Sequence, residues 1–366
     1  MNTGFARTQL VSVLLEPATA LTLSAREWND LLRRTAKHGL IARLAVTLAD
    51  PGLLHLLPRK VQARLHAACI AAESTQTAVR FELNRLLRAL AHAEVPVILL
   101  KGAAYMMAGL PPGRGRYVGD LDVMVPAAQI GEVEQRLIAQ GWSLGEMEEY
   151  DLRYYRQWMH EIPPLQHPQR ETPVDLHHTI LPLTARAHVD AAALLAASLP
   201  LAVPRLRVLA PADMVLHSAV HLFNDEVGKP LRDLVDLHDL LCHFGAQSGF
   251  WDDLLRRAQL HGLERPLYYT IRETRRLLST ELPAPVVKAI ATYAPSPLLA
   301  PLMNWLFREH FEPEPRETRR LAAVAEFLLY LRSHWFRMRL PMLVRHLCIK
   351  AVMRIHERFT RKPAAG

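Results

Sequence analysis

A change of sequence period at residue 95 constrains this chain more than any other feature. Before it, residues 26–93 read as helix, and after Pro58 an amphipathic run places Leu83, Leu86, Leu87 and Leu90 at helical spacing. Then comes "VPVILLKG", residues 95–102, a short β-branched and apolar run introduced by Pro96 and closed by Gly102. Such a run predicts a strand buried on both faces, which requires a sheet covered by helices.

The segment that follows carries an unusual pair of charges. "AAYMMAGL" predicts a helix and "PPGRGRYVG" a loop, after which "DLDVMVP" predicts a second strand. Side chains at i and i+2 of a strand share a face, so Asp120 and Asp122 point to one spot while Leu121, Val123 and Val125 turn away. Two like charges so placed are held by a cation or by protonation of one of them. Hard carboxylate oxygens on a strand suit Mg²⁺, which takes one or two protein carboxylates and fills its other positions with water and phosphate. An isolated Asp-x-Asp on a solvated loop is the competing reading.

Beyond that pair, a helix is expected from Ala127 to Gln140, ending at Gly141, and "WSLGE", "RYYRQWMHEI" and "TPVDLHHTI" are expected as further strands. After Leu181 the pattern becomes mostly helical, with candidates at 187–197, 211–223, 230–243, 250–261, 263–278, 284–293 and 297–308. Two more helices are expected from Thr318 onward, broken near Pro341. The expected organisation is an N-terminal helical segment over 1–93, an α+β core over 94–181, a helical region over 182–310 and basic helices over 311–366.

Composition limits the alternatives. Half of the 366 residues are hydrophobic, enough to bury a sizeable core. Cys69, Cys242 and Cys348 are far apart and in no ligand spacing, which predicts reduced thiols in a cytoplasmic setting and no zinc site. No signal peptide is expected from the N-terminal seventeen residues, and Pro200 interrupts the most apolar segment, 191–203. The net charge of +8 is concentrated in 313–366, where ten Arg and two Lys face four Glu. A nucleic-acid enzyme calls for a basic stripe around its site rather than a terminal block. Trp335, Phe336 and Met338 beside the tail arginines keep contact with an anionic membrane as a further alternative to a solvated face.

Three features converge on one site. A glycine directly after a buried strand lets backbone N–H groups approach a phosphate, and Lys101 beside Gly102 adds positive charge. Asp120 and Asp122 supply the carboxylate pair. Asp175, between Val174 and Leu176 in "VDLHHTI", offers a third carboxylate from a later strand. Metal ions held by three such carboxylates support transfer of a nucleotidyl group.

The pattern "LLKGAAY…R-x-x-x-D-L-D-V-M-V…VDLHH" resembles the uncharacterised nucleotidyltransferase family (family 5) of the polymerase-β-like superfamily, closely over 95–180 and more broadly over 60–245. "LHSAVHLFND" and "LRDLVDLHDLL" are similar to the helical stretch that follows the core in that family. The resemblance implies an α+β fold, a small mixed sheet flanked by helices. It implies that Asp120, Asp122 and Asp175 are the metal-binding catalytic acids, with Mg²⁺ or Mn²⁺ as cofactor and an NTP as substrate. Gly102 would cradle the triphosphate with Lys101 nearby, and Arg116 would contact phosphate. The NMP would pass to a hydroxyl, or a phosphate, of an unknown acceptor: a small molecule, saccharide, peptide or protein. Gly102-Ala103 departs from the Gly-Ser turn of many superfamily members, which removes a serine hydroxyl and leaves a non-catalytic nucleotide-binding scaffold as the rival.

Other residues carry plainer readings beside these. Lys101 at a strand end can snorkel, and arginines in a loop such as Arg114 and Arg116 are usually solvated. "GRGRYVG" precedes a strand and has the wrong spacing for a dinucleotide fingerprint. His177 shares a strand face with Asp175 and could orient that carboxylate or approach the metal, while His178 faces away. His217, His221 and His238 are read as helix packing, and Asp233 beside Arg232 as an ion pair that pins a helix to the core.

Overall fold

The computed structural model describes residues 8–145, 147–224, 228–311, 321–338, 341 and 343–344. Four helices precede the sheet: α1 (Gln9–Leu15), α2 (Ala25–Lys37), α3 (Ile41–Ala49) and the long α4 (Arg59–Ala89). Ser24 and Glu27 form a reciprocal capping box at the start of α2, satisfying two otherwise orphaned backbone donors. β1 (Val97–Leu99), α5 (Lys101–Met107), β2 (Leu121–Met124), α6 (Ile130–Ala139) and β3 (Ser143–Leu144) follow. Then come α7 (Glu149–Trp158), β4 (Leu165–Gln166), β5 (Val174–His177), α8 (Ala191–Ala197), β6 (Leu199–Pro200) and β7 (Leu206–Val208).

The seven strands form one mixed sheet in the order β3-β4-β5-β2-β1-β7-β6. β1 is antiparallel to β2 and parallel to β7, while β2 is parallel to β5. Every residue of β1 and β2 is buried, as the uninterrupted apolar run at 97–99 predicts for a central strand. The architecture is an α+β fold with a helical segment before the sheet and a larger helical region after it.

That later region comprises α9 (Pro211–Asn224), α10 (Pro230–Gly245), α11 (Phe250–His261), α12 (Glu264–Leu278), α13 (Ala284–Ala291), α14 (Ala300–Phe311) and α15 (Ala322–Arg337). α9 is buried along almost its whole length, because α10, α11, α12 and α15 surround it. Phe223 at its C-terminal end packs edge-on to Phe307 and Phe311 of α14. No helix among the described residues is long and apolar enough to cross a membrane. The second tail helix expected past Pro341, and most of the basic block over 311–366, lie outside the described residues.

Three local expectations are corrected. The first six residues of "RYYRQWMHEI", 153–158, form the C-terminal part of α7 rather than a strand, because the aromatic period is four. Tyr150 stacks on Tyr154, Tyr154 meets Trp158 edge-on, and Arg153 pairs with Glu149 one turn back at 3.2 Å. Gly102 sits inside the first turn of α5 rather than in a separate turn. The sheet also continues beyond residue 181 through β6 and β7, whose two and three residues are too short to read from sequence against helical surroundings.

A buried ion pair fastens α4 to the edge of the sheet. Glu82, 1% exposed, accepts from the Trp142 indole N–H at 2.6 Å and from Arg170 Nε at 2.5 Å, and the Arg170 guanidinium lies over the Trp142 ring. Removing one partner strands the other charge out of water. Glu82→Ala is expected to lower unfolding free energy by about 3–5 kcal/mol, read from the urea midpoint at constant slope.

Candidate active site

The β1–α5 junction and the start of β2 meet at the centre of the sheet. Leu100 donates its N–H to the Asp122 carbonyl at 3.0 Å, extending the β1–β2 pairing by one residue. Lys101 then takes a left-handed conformation, φ +43°, which is sterically unfavourable for a residue with a side chain. The turn brings its Nζ to 2.7 Å from Asp122 Oδ1. Strained non-glycine backbone of this kind gathers at functional positions, where surrounding structure holds it.

The sheet register brings the three sequence-predicted acids together. Asp122 of β2 stands opposite Asp175 of β5, and Asp120 lies just ahead of β2 on the same side. One carboxylate oxygen from each residue lies within 4.8 Å of the others. Asp122 is 1% exposed, whereas Asp120 reaches solvent. The side chain of Asp122 touches two further groups through one oxygen: Lys101 Nζ, and His177 Nε2 at 3.1 Å. His177 therefore contacts Asp122, not the Asp175 carboxylate that shares its strand. Its ring is also 3.3 Å from Glu161 Oε2.

Electrostatics separate the three acids. Burial pushes the Asp122 carboxyl upward, but Lys101 and His177 outweigh it and hold the group well below the usual carboxylate range. For Asp175, burial, then Asp122 and Glu161, outweigh a smaller lowering by His177 and push the carboxyl up to about 7. Asp120 is raised chiefly by the charge on Asp122. For Lys101, burial favours the neutral amine, yet Asp122 and Asp120 overcome that and raise it above its ordinary value. Behind them, burial and then the Lys101 charge keep His217 of α9 neutral, well below the ordinary histidine value.

The donor set fits a hard divalent cation. Asp175 Oδ1 is buried with no hydrogen-bond partner among the described residues, and it belongs to the group whose oxygens converge. Asp120, Asp122 and Asp175 are the residues that would hold Mg²⁺ or Mn²⁺.

The other two predicted nucleotide contacts have structural occupations. A Cβ at Gly102 would come within 3.1 Å of Val118 and 3.2 Å of Arg116 Nε, so the glycine permits the 111–120 loop to close over α5. Arg116, one-tenth exposed, is engaged by Asp236 and lies 3.8 Å from Asp233, both buried on α10. Arg232 caps the same Asp233 at 2.7 Å, and Arg43 of α3 pairs with Asp239 one turn further along. α10 thus presents three aspartates to arginines from three separate segments. The helix-pinning role expected of Asp233 is visible in these contacts, with Arg116 as its second partner. The charge of Arg116 also reaches Asp120 and lowers that group.

Sequence reading passed over Glu161 and His160. Ile162 N–H to Leu176 carbonyl and His178 N–H to His160 carbonyl hydrogen bonds lay the two beside His177. Residues 160–161 end a stretch read as a strand by aromatic content, and nothing local in "MHEIPP" marks a site; only pairing with β5 does.

The mixed sheet carries two carboxylates in register on adjacent strands, with a third two residues before one of them, as the resemblance to nucleotidyltransferases implies. The chain is a member of the family described as uncharacterised nucleotidyltransferase, which matches residues 24–279 and so spans the N-terminal helices, the sheet and α9–α12. No curated protein matches the chain.

Two substitutions read out these electrostatics. A carboxyl raised in the folded state withdraws stability as pH climbs from the unfolded value near 4, fully so above about 7. Asp175→Asn is therefore expected to stabilise the metal-free protein by about 1–3 kcal/mol at pH 8 and by nothing at pH 4, measured by thermal melts in chelator. Arg116→Met would leave Asp233 and Asp236 without that cation, and is expected to destabilise the fold by about 3–5 kcal/mol in urea. An arginine serving phosphate alone would leave that midpoint unchanged.

Proposed function

We propose that this protein is a metal-dependent nucleotidyltransferase that moves NMP from an NTP to a hydroxyl of an acceptor, with Asp120, Asp122 and Asp175 as its acidic centre. The observation that carries this reading is the convergence of three carboxylates on a buried site where the Asp175 oxygen has no partner among the described residues. Such a concentration of like charge has little reason to persist without a cation as ligand.

Asp120 and Asp122 hold the metal, and Asp175 either completes that set or accepts the acceptor's proton. When bound, Mg²⁺ or Mn²⁺ polarises the α-phosphate and neutralises the departing pyrophosphate. The acceptor oxygen forms the new bond to the α-phosphorus as the bond to the bridging oxygen of the pyrophosphate breaks. Asp175, raised toward neutrality by burial, is suited to receive the acceptor proton at an oxygen that faces no other donor. Lys101 releases Asp122 to meet the triphosphate, a short movement for a flexible ammonium. Arg116 assists by holding the 111–120 loop. The region over 182–310 shapes the acceptor side, for a saccharide, peptide, protein or other small molecule.

A second reading, a nucleotide-binding scaffold without turnover, draws on Ala103, which is buried inside α5 where many relatives in the superfamily carry a serine hydroxyl. Calorimetry with each NTP and Mg²⁺ or Mn²⁺ tests the shared site first. Binding that needs metal and disappears in Asp120→Asn/Asp122→Asn is the expected result; no binding with any NTP or metal overturns the proposal. Label from an α-phosphate-labelled NTP, appearing covalently on an acceptor with pyrophosphate release, then separates transfer from scaffolding.

A further inference from the structure

Beside the carboxylate centre lies a second cluster of different chemistry. His160 Nε2 is 3.8 Å from Glu161 Oε2, and His177 Nε2 is 3.3 Å from the same oxygen. The two imidazole rings are 5.2 Å apart between centroids. One ligand atom from each of the three residues falls within 4.8 Å of the others. Their side chains are 13%, 19% and 0% exposed, so the cluster is shielded but open to solvent on the His160–Glu161 side. Backbone pairing of 160–162 with β5 fixes the positions of all three.

A proton count makes the cluster unusual. His177 Nε2 faces Asp122 Oδ1 at 3.1 Å and Glu161 Oε2 at 3.3 Å, yet a ring nitrogen carries at most one hydrogen. One of the two carboxylate oxygens therefore faces that nitrogen without a well-directed hydrogen bond. A metal ion in contact with Nε2 and Oε2 supplies the missing positive charge. Metal–ligand bonds of about 2.1 Å set neighbouring ligand atoms of a tetrahedral site roughly 3.4 Å apart, so both measured separations lie within a few tenths of an ångström of ligation geometry.

We infer that His160, Glu161 and His177 form a second cation position, distinct in chemistry from the three aspartates, that takes a transition metal such as Mn²⁺ in preference to Mg²⁺. Two imidazoles and one carboxylate suit Mn²⁺, Fe²⁺ or Zn²⁺, whereas an all-oxygen set suits Mg²⁺. Ligation through Nε2 leaves the ring proton of His177 on Nδ1, which has no acceptor among the described residues. Metal-binding histidines usually have such an acceptor, so this position is an exchangeable one rather than a structural centre. It takes none of the three aspartates as a ligand, although His177 Nε2 also faces Asp122 Oδ1 at 3.1 Å.

The test is pulsed electron paramagnetic resonance on the full-length protein loaded with Mn²⁺ in the presence of excess Mg²⁺, which fills oxygen-only positions. Coupling of the manganese to imidazole ¹⁴N is the expected result. His160→Ala should remove one of the two coupled nitrogens and weaken Mn²⁺ binding at least about tenfold. Glu161→Gln, a smaller change at a partly exposed position, should weaken binding in the same direction, with melting curves confirming that both variants fold. Manganese with oxygen ligands alone, or a coupled-nitrogen count and Mn²⁺ affinity both unchanged in His160→Ala, overturns the inference. Metal-dependent NTP binding retained without nitrogen coupling would sink this second position while leaving the transfer reading intact. Loss of NTP binding with nitrogen coupling retained would do the reverse.

Discussion

The carboxylate of Asp122 is the point on which the rest depends. It sits in the middle of the sheet, with β1 on one side and β5 on the other, where an unpaired charge would be costly by several kcal/mol. Lys101 answers it from the strand–helix junction and His177 from the neighbouring strand. To reach it, Lys101 adopts a left-handed backbone that the β1–β2 hydrogen bonds and the helix behind it hold in place. The same low-dielectric setting leaves Asp175 and Asp120 reluctant to ionise, because burial and the charge on Asp122 outweigh the cations that reach them. The site is thus balanced for its own protein charges but not for all three acids together.

A second set of buried charges holds the site's surroundings. Three aspartates of α10 receive arginines from α3, from α10 itself and from the loop ahead of β2. The loop is also anchored from below, where the Gln76 side-chain amide of α4 donates to the carbonyls of Gly113 and Arg116. Tyr105 of α5 bonds Ser218 of α9. The approach to Asp120 is therefore fixed by elements that come before and after the sheet in the chain, which accounts for a family match that extends well beyond the acidic strands.

Much of this was legible in the sequence where the signal is local. The long α4, the buried β1 and the helices after residue 210 follow from apolar period and proline position. The Asp-x-Asp alternation set the face of β2, and the aspartate in "VDLHH" needed only strand adjacency to join it. What local pattern could not convey is partnership. Arg116 reads as a solvated loop arginine until α10 folds against it. Glu161 has no role until 160–162 pairs with β5, and α7 looked like a strand because tyrosine and tryptophan favour sheets when their four-residue spacing is ignored. β7 was invisible because three residues carry too little pattern.

The pairing of β1 with β7 bears on how such a chain acquires its shape. β1 is an inner strand, yet one of its two partners is made more than a hundred residues later. Until 206–208 emerge during synthesis, the most apolar strand of the sheet has an open hydrogen-bonding edge, which invites pairing with other chains. Closing a loop of that length before the contact rewards it is slow, so the sheet with its acidic centre matures late. Chain that ends near residue 181 would contain every aspartate of the site and still expose the strand that aligns them.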